Sequence, residues 1–468
     1  MLFKIGLRNI LRNGRRSAVT GLAVAVGAMA LLLFGAFQAY IFAGYQTGVV
    51  QRVGHLTVFH NGYFLYGAGN PAAYGIDDYA AVMRVIGEDP VLKPLVKVMT
   101  PTLSLFGIAG NFQGENDAAK TFLGVGVVPS DRQRMMQWDE YGASRPFHPD
   151  TRLADDDATR GLIGVGLARI LNLCAALKIA DCPPAPAAKP REEAAASAPA
   201  KEDFSDLAEK DVAANSDPNA KLPRIDLLAA TAGGAPNVVS LYVSGAESQG
   251  VKELDDNYIG MHLALAQQLL YGRGAHKVTG IELQLHRSED MAAARARLDA
   301  LFREKGLDLE VRDFAERTPQ YSQTLNFFRA IFLFIAVVMG VIVLFAVVNT
   351  MTMTVMERTN EIGTTRAMGV RRSGIRRQFL VEGWMLGAMG ATGGVVLAVI
   401  AAVLVNRSGL TWTPPGNVSP VPFRLDLFTD HALILSTWLG LVLVATIAAL
   451  IPANRAAKLQ VVDALRHV

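Results

Sequence analysis

The chain has 468 residues, of which 51% are hydrophobic and 19% are charged, with 45 basic and 42 acidic side chains and a formal net charge of +3. Soluble domains carry nearer 25% charged residues, so this composition disfavours an ordinary cytosolic enzyme and excludes a mostly disordered chain. The net charge is too small to indicate nucleic-acid binding.

Residues 1–16 contain five basic and no acidic side chains. Phe3, Leu7, Ile10 and Leu11 fall on one helical stripe, and Lys4, Arg8 and Arg12 fall on the adjoining face. This pattern predicts a short amphipathic helix on the inner face of the membrane, and a merely basic tail is the alternative.

Four stretches lack Asp, Glu, Lys and Arg over a length that can cross a bilayer. A charge at the centre of a membrane helix costs about 2.5–3.5 kcal/mol, so four such stretches are not expected by chance. The predicted transmembrane helices are residues 17–43, 330–356, 383–406 and 431–454. The third contains two Gly-x-x-x-Gly pairs, at Gly383–Gly387 and Gly390–Gly394, which favour close helix packing within one subunit or between two.

The flanking charges predict the orientation. Residues 1–16, 357–382 and 455–468 together hold fourteen basic and four acidic side chains. By the positive-inside rule, both termini and the 357–382 loop are cytoplasmic, whereas residues 44–329 and the loop 407–430 are external. We expect a multi-pass protein of a bacterial inner membrane with a large periplasmic domain.

The external segment is predicted to be α/β. Residues 51–110 and 275–316 each show a strand, helix, strand order and would form one split, porter-like subdomain, into which residues 120–270 insert a mixed β subdomain. Residues 183–223 are rich in Ala, Pro and charge, with a single aromatic side chain, which predicts a disordered loop. The expected fold class is therefore an α/β external domain on a four-helix transmembrane bundle.

Catalytic and metal-binding motifs are missing from the sequence. It contains no phosphate-binding P-loop, no His-Glu-x-x-His and no Gly-x-Ser-x-Gly, so we expect no catalytic site and no ATP bound by this chain. The two cysteines, Cys174 and Cys182, are too few for a zinc site. Both are external by the orientation above and could form a disulfide, with free buried thiols as the alternative.

The loop 357–382 reads ERTNEIGTTRAMGVRRSGIRRQFLVE. It predicts a helix over Arg358–Met368 that ends at Gly369, followed by a basic amphipathic run leading into the third span. A short helix parallel to the membrane is suited to contact a cytosolic motor protein, and a solvated charged loop is the alternative.

This loop closely resembles the signature of the FtsX-like, MacB-like ABC permease family, which includes the macrolide exporter and the lipoprotein-releasing permeases. Further similarity to the lipoprotein-releasing branch lies in LRNILRNGRRS at the start of the chain, GHLTVFHNGYF from Gly54, IGVGLARILNL from Ile163 and VSGAES from Val243. The 183–223 insertion departs from that branch, as does the loss of a strand after Ala180.

The resemblance implies a dimeric permease, homomeric or heteromeric, bound to two separate ABC ATPase subunits that carry the ATP and Mg²⁺. Their closure would move the external domains by mechanotransmission, and a periplasmic carrier or adaptor could take part. The implied ATPase-coupling residues are Glu357, Arg358, Glu361, Ile362, Arg366, Met368 and Gly369. Aromatic side chains on the first two spans could line a lateral lipophilic cleft, or could simply pack or face lipid: Phe34, Phe37, Tyr40, Phe42, Phe327, Phe328, Phe332 and Phe334.

Three functions follow from this resemblance. The favoured one is the permease subunit of an ABC transporter that extracts or exports a lipoprotein or another lipophilic substrate. The alternatives are an FtsX-like transducer that activates a periplasmic cell-wall hydrolase, and a MacB-like drug or peptide exporter working with an adaptor and an outer-membrane duct. The size of the external domain favours extraction over signalling.

Overall fold

The computed structural model describes residues 6, 8–10, 12 and 14–461, with gaps at 68–72, 113–116, 143–152, 180–218, 220, 232, 273–275, 414–419 and 428–430. Most of the predicted amphipathic stripe, nearly all of the predicted 183–223 loop, and Cys182 therefore lie outside the described residues. The chain divides into a membrane unit (Met1–Ala43, Gln320–Trp412 and Val421–Val468) and an extramembrane unit that comprises Gly44–Pro319.

The helices of the described chain are α1 (Gly14–Val53), α2 (Tyr79–Glu88), α3 (Pro129–Met136), α4 (Val165–Ile170), α5 (Cys174–Leu177), α6 (Lys252–Asp255), α7 (Leu263–Tyr271), α8 (Met291–Lys305), α9 (Phe314–Arg317), α10 (Pro319–Glu357), α11 (Thr359–Ala367), α12 (Arg372–Ser408) and α13 (His431–Lys458). Its strands are β1 (Leu56–His60), β2 (Val96–Asn111), β3 (Ala118–Val127), β4 (Arg160–Gly164), β5 (Arg224–Ala230), β6 (Pro236–Glu247), β7 (Tyr258–His262), β8 (Gly280–Leu285), β9 (Leu309–Asp313), β10 (Thr411–Trp412) and β11 (Val421–Pro422).

The membrane unit is built on long apolar helices. Among the described residues, four helices are long and apolar enough to cross a membrane, namely α1, α10, α12 and α13. Helices α1 and α10 are 40 and 39 residues long, so each is about twice the length that a bilayer requires.

The glycines of α12 bring three of these helices close together. A Cβ atom added at Gly394 would lie 2.4 Å from the Cβ of Ala28 on α1, and one added at Gly383 would lie 2.4 Å from the Cβ of Ala449 on α13. Both distances are far below van der Waals contact, so only glycine fits. The four glycines of the two predicted pairs, Gly383, Gly387, Gly390 and Gly394, thus pack against neighbours within the same chain.

The extramembrane unit contains a mixed sheet whose nine described strands run in the order β3-β7-β4-β6-β5-β2-β8-β1-β9. Strand β3 also pairs with β2, from Leu103↔Gly126 to Asn111↔Ala118, so the first six strands of that order close into a ring. Strands β8, β1 and β9 extend the sheet beyond β2. Most neighbours are antiparallel, and β3–β7 and β4–β6 are parallel.

Strand β2 belongs to both parts of this sheet. Its first half pairs with β8 over Val96–Thr102, and its second half pairs with β3 and β5. One hydrophobic cluster also runs through both parts, from Leu298 on α8 to Leu241 on β6. The two predicted groups of strands therefore share a strand and a core.

Residues 165–178 form two short helices rather than one, because Asn172 has a left-handed backbone (φ 57°), which Asn tolerates better than most residues. Strands β4 and β7 were not predicted, since each has only five residues and runs directly into a helix. The broad prediction of four membrane helices with an extramembrane α/β domain is confirmed.

Candidate functional site

The short helix α11 joins the ends of α10 and α12. It begins after Arg358, whose φ of −107° and ψ of 16° interrupt the preceding helix, and its last turn ends at Met368. Gly369 follows with φ +96°, and its N–H donates to the carbonyl of Arg366 at 3.0 Å. A left-handed residue at this position is the usual way to end a helix, so the predicted glycine cap is present.

A buried ion pair fixes the start of α11. The Arg358 guanidinium lies 3.4 Å from the Glu382 carboxylate, and both side chains are almost fully buried. The Asn9 amide donates a hydrogen bond of 2.5 Å to the same carboxylate. Removing one member would leave a buried charge without its partner, which typically costs 3–5 kcal/mol, so the junction of α10 and α11 is held firmly against α12.

Besides Arg358, two more of the predicted coupling residues make contacts within the membrane unit. Ile362 is 5% exposed and joins a core cluster with Phe379. Arg366 donates to the carbonyl oxygen of Leu459 and lies 3.4 Å from that of Ala457, at the end of α13. Helix ends carry carbonyls without helical partners, and a cation there is favourable. These two side chains therefore anchor α11 in this chain.

The tip of α11 is exposed. Met368 is 74% exposed and Val370 is 40% exposed, beside the basic side chains of Arg371 and Arg372. The remaining two coupling candidates are acidic and contact the N-terminal residues: Glu361 on α11 pairs with Arg12 at 2.5 Å and with Arg358 at 3.3 Å, and Glu357, the last residue of α10, pairs with Arg16. The structure thus divides the predicted set into an anchored part and an exposed part, and contact with an ATPase stays a prediction.

The predicted cleft aromatics are only partly brought together. Phe34 on α1 stacks on Phe332 of α10 with ring centroids 6.2 Å apart, and Phe42 meets Phe328 at 6.1 Å. Phe37 instead packs against Phe423, at 4.9 Å. Of the remaining candidates, Phe327 meets its neighbour Phe328 at 6.0 Å and is largely exposed, Phe334 is also largely exposed, and Tyr40 is partly buried. The first two spans therefore share an aromatic seam at two levels.

A polar cluster at the far end of α1 was not predicted. Glu282 on β8 is 2% exposed and pairs with Arg132 at 3.2 Å and Arg317 at 3.3 Å. Arg132 also donates to the carbonyl of Arg52, and Arg317 to that of Val53 at 3.2 Å. These two arginines satisfy carbonyls of the last turn of α1 and tie it to the sheet. An acidic residue within the apolar sequence of β8 was the available signal, but its partners are distant in sequence.

Cys174 is disulfide-bonded, and its predicted partner Cys182 lies outside the described residues, so the pairing stays a prediction. Over the part of the chain that the structure describes, no group of three or more His, Cys, Asp or Glu side chains is placed to hold a metal ion.

The described residues combine four helices long enough to cross a membrane, the short anchored helix α11 and an α/β domain, which is the make-up of an integral membrane protein. Residues 333–461, which cover most of α10 and all of α11, α12 and the described α13, match the FtsX-like permease C-terminal family. The chain therefore carries an FtsX-like permease domain.

Its homologues are ABC permeases of modest identity. The chain is 29% identical over 237 residues to the macrolide export ATP-binding/permease protein MacB of Hyphomonas neptunium, covering 50% of this chain and 34% of that protein. It is 29% identical over 252 residues to the lipoprotein-releasing system transmembrane protein LolC of Neisseria meningitidis, covering 50% and 57%. It is 35% identical over 138 residues to the ABC transporter permease YtrF of Bacillus subtilis, covering 28% and 30%. The matches thus span from about a third to just over half of these relatives.

Proposed function

We propose that this chain is the non-catalytic membrane subunit of an ATP-driven ABC transporter that extracts or exports a lipoprotein or another lipophilic substrate by mechanotransmission. In this proposal both termini and α11 face the cytoplasm, and the extramembrane unit faces the periplasm of a bacterial cell. Two ATPase subunits with ATP and Mg²⁺ act on α11, and a second permease copy completes the complex. A periplasmic carrier or adaptor receives the substrate.

The observation that carries the proposal is the exposed apolar tip of α11. Met368 and Val370 project from a helix whose other side is fixed by Ile362 and Arg366. Surface methionine is a versatile contact residue because its side chain is flexible and polarizable. A helix that is fixed on one side and has an exposed apolar end is suited to bind a partner. A displacement imposed by that partner would be transmitted to α10 and α12.

The aromatic seam between α1 and α10 supports a lipophilic substrate. Exposing one 16-carbon acyl chain to water costs roughly 12 kcal/mol, at about 0.8 kcal/mol per CH₂, so such a chain must move from bilayer to protein without crossing water. Opening the Phe34–Phe332 and Phe42–Phe328 contacts would create an apolar entrance at membrane depth. The similarity to LolC, a lipoprotein-releasing system transmembrane protein, agrees with this substrate class.

Export of a macrolide-like compound is the second candidate. It is favoured by the similarity to MacB, a macrolide export ATP-binding/permease protein. Mass spectrometry of the molecules that co-purify with the full chain would distinguish the two candidates. An acylated polypeptide or a lipid supports the lipophilic substrate, and a small amphiphile without acyl chains supports macrolide-like export.

The central test uses the full-length tagged chain, purified in detergent from the membranes of the cell that produces it, with ATP hydrolysis measured in the eluate. We expect ATPase activity with the wild type and a loss of at least about tenfold with Met368→Glu, because a charge replaces the apolar contact. Met368→Leu is the matched control, and it should keep the activity.

The proposal would be abandoned if the wild-type chain never carried ATPase activity, or if Met368→Glu left that activity unchanged. Unfolding midpoints of all three proteins should agree, because residue 368 is exposed and surface substitutions usually change stability by less than about 0.5 kcal/mol.

A further inference from the structure

Three polar residues near the start of the chain meet three carboxylates around α11. Asn9 bonds to Glu382 at 2.5 Å, Arg12 pairs with Glu361 at 2.5 Å, and Arg16 pairs with Glu357. The described residues of this region are helical, and positions 9, 12 and 16 are separated by three and four residues. That spacing puts the three side chains on one face of a helix.

The three carboxylates belong to different helices. Glu357 ends α10, Glu361 lies in the first turn of α11, and Glu382 lies on α12. The N-terminal face therefore spans the whole turn from α10 through α11 to α12. Its donors leave the exposed tip at Met368 and Val370 uncovered.

Arg16 is itself part of α1, which starts at Gly14 and continues without a break to Val53. Helix α11 is joined through the backbone only to α10 and α12, so it has no covalent link to α1 nearby. Arg12, two residues before α1, pairs with Glu361 on α11, and Arg16 on α1 pairs with Glu357, the last residue of α10 before the turn into α11. A displacement of this turn would therefore act on the N-terminal residues and on the start of α1.

We propose that Asn9, Arg12 and Arg16 are positioning residues that tie the turn from α10 through α11 to α12 to the N-terminal residues and the start of α1, so that movement imposed on α11 is passed to α1. This inference rests on the proposed function. It assigns the N-terminal residues a role in transmission.

The Arg16–Glu357 pair offers the cleanest test because, among the described contacts, Glu357 has Arg16 as its sole ion-pair partner. We would compare Arg16→Glu, Glu357→Arg and the charge-swapped double variant in full-length chain purified with its ATPase. Arg15→Glu is the matched control, since Arg15 is exposed and has no ion pair within the part described. Arg16→Gln is a milder substitute if Arg16→Glu does not fold.

Two readouts are needed: amide hydrogen exchange of peptides covering 359–370, and the ATP hydrolysis rate. Each single charge reversal should speed exchange by about two- to fivefold, the range of an exposed ion pair, and should lower the hydrolysis rate. The double swap should restore both, and Arg15→Glu should match the wild type.

Wild-type exchange in Arg16→Glu, or failure of the double swap to restore both readouts, would overturn the inference. If the wild-type chain shows no ATP hydrolysis, the proposed function fails, while the exchange measurement still decides whether the tie exists.

Discussion

Buried polar side chains link separate segments of the extramembrane unit, and His55 is an example. His55 directly follows the turn after α1 and is completely buried. Its Nδ1 accepts a hydrogen bond from the Leu285 N–H at 3.0 Å, its Nε2 lies 3.1 Å from the Ser288 hydroxyl, and its ring meets Trp138 edge-on at 4.9 Å. A hydrogen bond accepted at Nδ1 requires the neutral imidazole, so this geometry and the burial of the ring both favour the neutral form of His55.

Burial lowers the pKa of His55 from 6.5 to about 4. Between these two values the unfolded chain binds a proton that the folded chain does not, so stability falls as the pH drops through this window. We expect the extramembrane unit to lose about 2 kcal/mol between pH 7 and pH 5 from this residue. The loss can be measured by unfolding the full chain with urea in detergent at each pH. The readout is the protease resistance of residues 44–319.

His55→Gln should be less stable at pH 7 because it loses the ring packing, but its stability should change less between pH 7 and pH 5. His276→Gln, at an exposed position, should keep the wild-type slope. Equal slopes in His55→Gln and the wild type would assign the pH dependence to other groups.

At the scale of elements, helices were easier to predict than strand pairings. The apolar spans and the glycine cap at Gly369 are local signals, and each is present in the structure. The ring of six strands depends on pairs such as Leu123↔Tyr258, which are 135 residues apart, and no local pattern encodes that register. Strand β8 is buried on both faces, so Glu282 could be placed only once its arginine partners were known.

In the candidate site, too, local features were predictable from the sequence and long-range contacts were not. The position of α11 was predictable from its sequence, but the inward direction of Ile362 and Arg366 was not, because it is set by contacts with α12 and α13. The residues 9, 12 and 16 were expected to lie on a membrane surface, and their partners are more than 300 residues away.

Helix packing in the membrane unit gives a sharp prediction. Gly394→Ala should lower the free energy of unfolding by about 1–3 kcal/mol, since its Cβ would lie 2.4 Å from that of Ala28. Gly393→Ala is the adjacent control, because its Cβ would be 3.8 Å from that of Ala25, an ordinary contact. Thermal unfolding of both variants in one detergent measures the difference. Equal midpoints would mean that α12 and α1 do not pack this closely.

At the scale of the whole molecule, the orientation of the two units relative to the bilayer is the first thing to establish. A short site for a sequence-specific protease can be inserted at Gly234, in an exposed turn between β5 and β6, or at Gly369 after α11. In sealed vesicles with the periplasmic face outward, we expect cleavage at 234 and protection at 369, and the reverse in inverted vesicles. Cleavage of both sites from one side would refute the proposed orientation.

The continuity of α1 has a consequence for the direction in which signals travel. At 1.5 Å per residue its 40 residues span about 60 Å, and a tilt of 10° about its midpoint would shift each end by about 5 Å. Thermodynamic linkage makes any coupling between two binding sites reciprocal. If, in the proposed transporter, ATP binding alters the affinity for cargo, then cargo must alter the affinity for ATP by the same factor. A transporter coupled in this way would change how tightly it binds ATP when cargo arrives.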